Sequence, residues 1–414
     1  MFFTLILISN GSLNIRSITS RFKSTLNKNM CREICFFTLS FLSKPSIALS
    51  NDVIDMKESL SSKQVDKKLI IHLEWFDNVL CARFTIKNKE VRGIVDTGSP
   101  FITVPTVCTG LWGCLGKEIV NEINADVELP QLEDTIEVFG GQEYDAKWRR
   151  VRLKFTENSN VENSNETNEI STLVAVVGKD ILLPPGGNFL GLVKHNTKFI
   201  RPTFLGQTSF NSIRFDAPQQ QLTLSSHSLI DQHNDDAVLK MIDLRPYGDS
   251  VEHYCVKVKK LIINGRLIHT SSVQDRVKLG WPAYEMLVAD NQEMFAVFDT
   301  GTSGCIIQDE IFFDERFPQP PRSVEVIVQS ESGEEVTLKA SASKNNLFVV
   351  TPSKIPWFNP ETNNKRSKIK FDANHPPPRI IVLGLSFLKD IVLNIDTETK
   401  FLSLTTNVKK TIDV

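Results

Sequence analysis

Cysteine is scarce, with seven in 414 residues and no Cys-x-x-Cys pair, which excludes a fold built from disulfides or zinc knuckles. The seven histidines form no His-x-x-x-His pattern, so no helix-borne zinc site is indicated. No uninterrupted apolar run approaches the roughly 18–20 residues that span a bilayer, which excludes a polytopic membrane protein. An excess of either charge is missing too. Lys and Arg number 47 against 49 Asp and Glu, a net −2 that offers nucleic acid no attractive field. What remains, 41% apolar and 23% charged, is the make-up of a packed globular chain. At about 150 residues per domain, the length fits two or three domains or one large two-lobed unit.

Acidic residues are absent from positions 1–32, where Arg16, Arg21, Lys23, Lys28 and Arg32 lie. The first fifty residues hold six basic residues and one acidic residue, so the rest of the chain carries −7. Residues 1–50 therefore read as a separable leader. From Met30, Arg32 followed by the apolar Ile34–Leu42 run and then Ala48 and Ser50 has the order of a secretory signal. From Met1, the Arg- and Ser-rich segment has the character of an organelle transit peptide; a start codon placed upstream of Met30 is a third reading. The secretory route is the one adopted, with an acidic vacuolar or lysosomal compartment or the exterior as destination. Residues 51–68 are then a short pro- or linker segment.

From Leu69 the chain reads as β-sheet, in short β-branched and aromatic runs broken by Gly, Asn, Asp and Pro. Residues 156–169, almost wholly Asn, Glu, Ser and Thr, cannot bury apolar surface and read as a surface loop, with a glycosylation sequon at Asn165. The polar stretch 225–236 marks a boundary, giving an N-terminal β lobe at 69–228 and a C-terminal one at 229–408. The two halves repeat each other. Val91-Arg92-Gly93-Ile94-Val95-Asp96-Thr97-Gly98-Ser99 returns as Met294-Phe295-Ala296-Val297-Phe298-Asp299-Thr300-Gly301-Thr302, an apolar strand running into Asp-Thr-Gly-Ser/Thr each time. One Asp-Thr-Gly is weak and reads equally as a turn with glycine at positive φ. Two copies in matching surroundings are specific.

These residues resemble the pepsin-like aspartic proteases, from about Leu69 to Leu404. The resemblance implies an all-β, bilobal fold with the active site in the cleft between pseudo-twofold-related lobes. It implies catalytic Asp96 and Asp299, and active-site loops made by Thr97, Gly98, Ser99, Thr300, Gly301 and Thr302. The two threonines lock the loops together, and the glycines let the backbone turn tightly beside each carboxylate. Two carboxylates about 3 Å apart share one proton, which supplies an acid and a base without metal or organic cofactor. Later in each lobe the family has an apolar-apolar-Gly segment. Val382-Leu383-Gly384 supplies it in the second half, while the first offers both Phe189-Leu190-Gly191 and Phe204-Leu205-Gly206. Cys108 and Cys114, six residues apart, stand where the family has a small disulfide loop; Cys81, Cys255 and Cys305 read as buried apolar thiols.

The flap departs from the pattern. Phe139, before Gly140, stands where the family has tyrosine, and Thr103 where it has tryptophan; Tyr144 is the substitute if the hairpin register shifts. The segment ahead of the first strand is short for a family propeptide. The resulting expectation is a monomeric aspartic endopeptidase acting on protein or peptide substrates, favouring hydrophobic residues around the scissile bond, with Phe139 and Gly140 as flap. Nucleic acid and membrane partners are not expected. A catalytically silent pepsin-like binding protein, and an unrelated β-rich structural or adhesion protein, stand as alternatives.

Overall fold

The computed structural model describes residues 67–108, 110–125, 133–139, 142–155, 169–178, 188–195, 202–231, 237–247, 249, 251–278, 293–314, 316–342, 348–353 and 378–406. All belong to one compact unit, 37–414. Residues 1–50, expected to be a leader, most of the 51–68 segment, the polar 156–168 stretch with its sequon, and Gly140 lie outside the described residues.

The chain is mostly β. Period-two alternation forms the first strand, Lys68–Phe76, in which Leu69, Ile71 and Leu73 are buried while Lys68 and His72 face outward. The turn after it, Asp77-Asn78, has φ of 52° and 65°, and Lys87-Asn88 has 48° and 67°. Asn264-Gly265 has 50° and 76°. Two consecutive left-handed residues match the twist of a tight hairpin, and Asn, Asp and Gly tolerate that conformation best. Strands deeper in the sheet lose the alternation. Met294–Phe298 is buried at every position, since both of its faces are covered.

The same order of five strands occurs twice. In the first half Val79–Ile86 pairs antiparallel with Lys89–Asp96, which runs parallel to Phe189–Gly191. Ile102–Pro105 lies antiparallel on the far side of Phe189–Gly191 and parallel to Glu169–Val177. In the second half Cys255–Ile263, Met294–Phe298, Arg379–Leu383, Cys305–Gln308 and Val350–Ser353 follow in the same order with the same senses. Each inner strand thus ends beside a strand that arrives from much later in the chain.

A six-stranded layer joins the two sets. Lys68–His72, Gln221–Ser225 and Ser212–Asp216 come from the first half. Ile391–Asp396, Phe401–Thr406 and Ala237–Lys240 come from the second. At the centre Ser212–Asp216 pairs antiparallel with Ile391–Asp396, Ile213 opposite Ile395. One large apolar core runs through both halves, from Leu69, Phe84 and Phe215 to Phe298, Leu393 and Leu404.

Candidate active site

The two inner strands end at Asp96 and Asp299, both fully buried. Their loops are anchored from below by the parallel neighbours: Leu192 N–H donates to the Asp96 carbonyl at 2.8 Å, and Asp299 N–H donates to the Leu383 carbonyl at 3.0 Å. The loops are also tied to each other. The Thr97 hydroxyl donates to the Phe298 carbonyl at 2.8 Å and accepts Thr300 N–H at 3.0 Å. The Thr300 hydroxyl donates to the Val95 carbonyl at 2.7 Å and accepts Thr97 N–H at 3.1 Å. Four reciprocal hydrogen bonds, with both threonines wholly buried, leave none of these backbone groups unpaired.

Each carboxylate is held by its own loop and faces the other. Gly98 N–H donates to Asp96 Oδ1 at 2.8 Å, and the Ser99 hydroxyl donates to Oδ2. Gly301 N–H donates to Asp299 Oδ1 at 2.9 Å, and the Thr302 hydroxyl to Oδ2 at 2.9 Å. A side chain on Gly98 would put its Cβ 2.7 Å from Asp299 Cγ, and one on Gly301 would reach 2.5 Å from Asp96 Cγ. The backbone turns at both glycines, as expected, and a further constraint acts on them. Neither has positive φ; they are glycine because the opposite carboxylate occupies the space.

Burial and the adjacent Asp299 carboxylate push Asp96 well above the ordinary carboxylate range. Burial also raises Asp299, opposed by hydrogen bonds from Asp96, Thr302 and Gly301 and by the charge of His253. Burial and mutual repulsion disfavour ionisation of both carboxylates at once, so the pair favours holding one proton between them. The pair titrates as a unit with two macroscopic steps.

Of the two first-half glycine segments, Phe189-Leu190-Gly191 matches Val382-Leu383-Gly384. A Cβ on Gly191 would lie 2.4 Å from the Phe101 carbonyl oxygen, and one on Gly384 would lie 2.1 Å from that of Thr302. Both glycines let the arriving strand pass close under an aspartate-bearing loop. Phe204-Leu205-Gly206 serves differently: Leu205–Gln207 is a helical turn before the strand Ser212–Asp216, as Leu385–Leu388 is before Ile391–Asp396.

The strands Thr135–Phe139 and Gln142–Phe155 form an antiparallel hairpin in which Phe139 pairs with Gln142 and Glu137 with Tyr144. Phe139 is thus the last paired residue before the tip; its side chain and that of Tyr144 lie outside the described residues, as does Gly140. Thr103 is buried, and its hydroxyl accepts Phe189 N–H at 3.2 Å. An indole is nevertheless present, on the hairpin itself. Trp148 is fully buried, packs edge-on to Phe101 at 4.8 Å between centroids, and donates from Nε1 to the Thr135 hydroxyl at 2.7 Å. This ties the base of the hairpin to the strand that pairs with it.

Cys108 and Cys114 are bonded as a disulfide, closing a loop around the short helical turn Gly110–Trp112. Cys81, Cys255 and Cys305 are free and buried. Burial pushes the Cys81 thiol up to about 12, so it is no nucleophile. Among the described residues, no cluster of His, Cys, Asp and Glu could hold a metal ion. Among the same residues, no helix is long and apolar enough to cross a membrane.

Compared with protein-family models and with curated protein sequences, the chain matches none.

Sequence reasoning missed two residues at this site, Asp249 and His253. His253 is buried with one ring nitrogen 3.1 Å from the Gly98 carbonyl and the other 2.7 Å from Asp249 Oδ2. Their four-residue separation was the available signal; nothing local connects His253 to Gly98, 155 positions away.

Proposed function

We propose that this chain is an aspartic endopeptidase of the pepsin-like kind, with β lobes at 69–228 and 229–408 and the dyad in the cleft between them. The observation that carries the reading is the reciprocal arrangement of the carboxylates. Each is gripped by its own loop and abuts the opposite glycine, which sets the two buried carboxylates against each other. Such a pair holds an acid and a base at adjacent atoms, and the buried surroundings keep it from ionising fully.

Chemistry follows from that state. Asp299, ionised, takes a proton from a water molecule at the dyad, and the hydroxide oxygen bonds to the scissile carbonyl carbon. Asp96 gives its proton to the carbonyl oxygen, so a neutral tetrahedral diol forms without a covalent bond to the enzyme. Collapse breaks the C–N bond. The proton on Asp299 passes to the leaving amine, and Asp96 recovers its own from the diol hydroxyl, which returns the pair to one proton. The fixed donors Gly98, Ser99, Gly301 and Thr302 are already aimed at the carboxylates, so little reorganisation accompanies charge movement.

Phe139, the last paired residue of its strand, and Gly140, next in sequence, are the flap residues in this reading. An apolar tip favours hydrophobic side chains around the scissile bond, at about 25 cal/mol per Å² buried. The Cys108–Cys114 disulfide accords with passage through an oxidising secretory compartment. The test is incubation of the full chain with a mixed peptide library across pH 3–7, with and without pepstatin. Pepstatin-sensitive cleavage at acid pH is expected. Peptide binding without cleavage would favour the catalytically silent alternative, and neither would end the reading.

A further inference from the structure

At the Gly98 carbonyl of the Asp96 loop, His253 and Asp249 form a buried pair. Asp249 is fixed at its other oxygen, where Oδ1 accepts Val251 N–H at 3.2 Å. His253 Nδ1 lies 2.7 Å from Asp249 Oδ2, and Nε2 lies 3.1 Å from the Gly98 carbonyl oxygen. A carboxylate and a carbonyl are both acceptors only. With Asp249 ionised, both contacts are hydrogen bonds only when each ring nitrogen carries a proton, which makes the ring an imidazolium.

Gly98 joins this cation to the dyad. Its N–H holds Asp96 Oδ1, and its α-carbon faces the Asp299 carboxylate. We propose that Asp249 and His253 are a positioning pair for the catalytic dyad: the His253 imidazolium anchors the Asp96 loop through the Gly98 carbonyl and sets a positive charge behind the two carboxylates. The consequence for catalysis rests on the aspartic-peptidase reading; the charge state of His253 does not.

The surroundings support a retained charge. Burial works against the imidazolium, but the charge and hydrogen bond of Asp249, the charge of Asp299 and the Gly98 carbonyl together raise His253 above the usual histidine range. On its other side His253 lines a cavity of about 50 Å³ with Lys194, Asp243, Glu252 and Lys400. Those charges are largely matched among themselves: Lys400 pairs with Glu252 at 2.5 Å, and Arg245 with Asp243 at 2.7 Å and with Glu252 at 3.6 Å. Lys194 is turned onto the Phe210 carbonyl at 2.9 Å and onto the Asn211 side chain. Neighbouring His195 is held below the usual histidine range by burial and Arg245, so it does not compete for the proton.

A nearby cation favours the ionised carboxylate, so it moves both ionisation steps of the dyad toward acid. His253→Gln should therefore shift both limbs of the kcat/KM pH profile upward by roughly one unit. A purely structural role would lower the rate and leave the midpoints where they are. An unshifted profile in His253→Gln would overturn the coupling. The second measurement needs no activity. Nitrogen NMR on the full chain labelled at histidine should show both His253 ring nitrogens protonated at pH 7, and Asp249→Asn should lower the midpoint by a unit or more. A single neutral tautomer at pH 6 in the wild type would overturn the proposal. Failure of the chain to cleave any peptide would end the peptidase reading while leaving the NMR result to decide the pair.

Discussion

Gly301→Ala replaces a hydrogen with a methyl group at the point where the two loops meet. The new Cβ would stand 2.5 Å from Asp96 Cγ and 2.7 and 2.8 Å from its oxygens. Carbon atoms in ordinary contact stand about 3.5–4.0 Å apart, so the gap has to open by roughly 1 Å. Backbone conformation is not the obstacle, because Gly301 is outside the left-handed region and alanine fits its φ. Asp96 has no room to withdraw, being fully buried and gripped by Gly98 N–H and the Ser99 hydroxyl. The loops themselves must separate. Overpacking of this size costs about 1–3 kcal/mol of stability. A misplacement near 1 Å costs on the order of a hundredfold in rate. The assay is kcat and KM on a fluorogenic peptide beside a thermal melt, with Gly178→Ala as control, since nothing lies within 4 Å of a Cβ there. A fall in kcat of about a hundredfold with a Tm change of only a few degrees is the expected result. If Gly301→Ala kept kcat within threefold of wild type, the close packing of carboxylate on glycine would not be what sets the dyad.

Thr97→Val removes the hydroxyl that serves the Phe298 carbonyl and Thr300 N–H, leaving two buried backbone groups unpaired at about 1–3 kcal/mol each; urea unfolding should register the loss, and Thr97→Ser should avoid most of it. Asp96→Asn should raise Tm at pH 7. The sign follows from the raised folded-state value: above the unfolded value near 3.9 the native chain retains a proton that the unfolded chain has released, so wild-type stability falls as pH rises toward the folded value. The amide is free of that cost, and the difference between variant and wild type should close as pH falls below the unfolded value. Cys108→Ser, opening the loop between residues six apart, should cost roughly 2 kcal/mol in chemical denaturation, and intact-mass analysis of native protein should find the pair oxidised.

The meeting of Asp96 and Asp299 was legible because the Asp-Thr-Gly motif is written twice, each copy after an apolar strand, and duplication is visible in one sequence. Strand Lys68–Phe76 was legible as a β-branched and aromatic run, while the Lys87-Asn88 turn declares itself only in its dihedrals. Local pattern could not choose between Gly191 and Gly206. In the second half Gly384 runs directly into the helical turn Leu385–Leu388, but in the first half the glycine and the Leu205–Gln207 turn are separated by intervening chain, so one motif became two partial matches. The hairpin indole was missed for a similar reason. The sequence lacks tryptophan at the position of Thr103, and only packing shows Trp148 arriving from the hairpin to bond Thr135. Asp249 and His253 act on Gly98 across the fold, a contact with no periodicity to betray it.

The central claim is that Asp96 and Asp299 act as one acid–base pair around one proton. Its most direct test is kcat/KM for peptide cleavage by Asp96→Asn and Asp299→Asn, measured separately at the wild-type pH optimum. Either change leaves one titratable carboxylate where the mechanism needs two, so each alone should lower kcat/KM by at least about a thousandfold, with the near-native fold confirmed by circular dichroism. Turnover within tenfold of wild type in either variant would contradict the account.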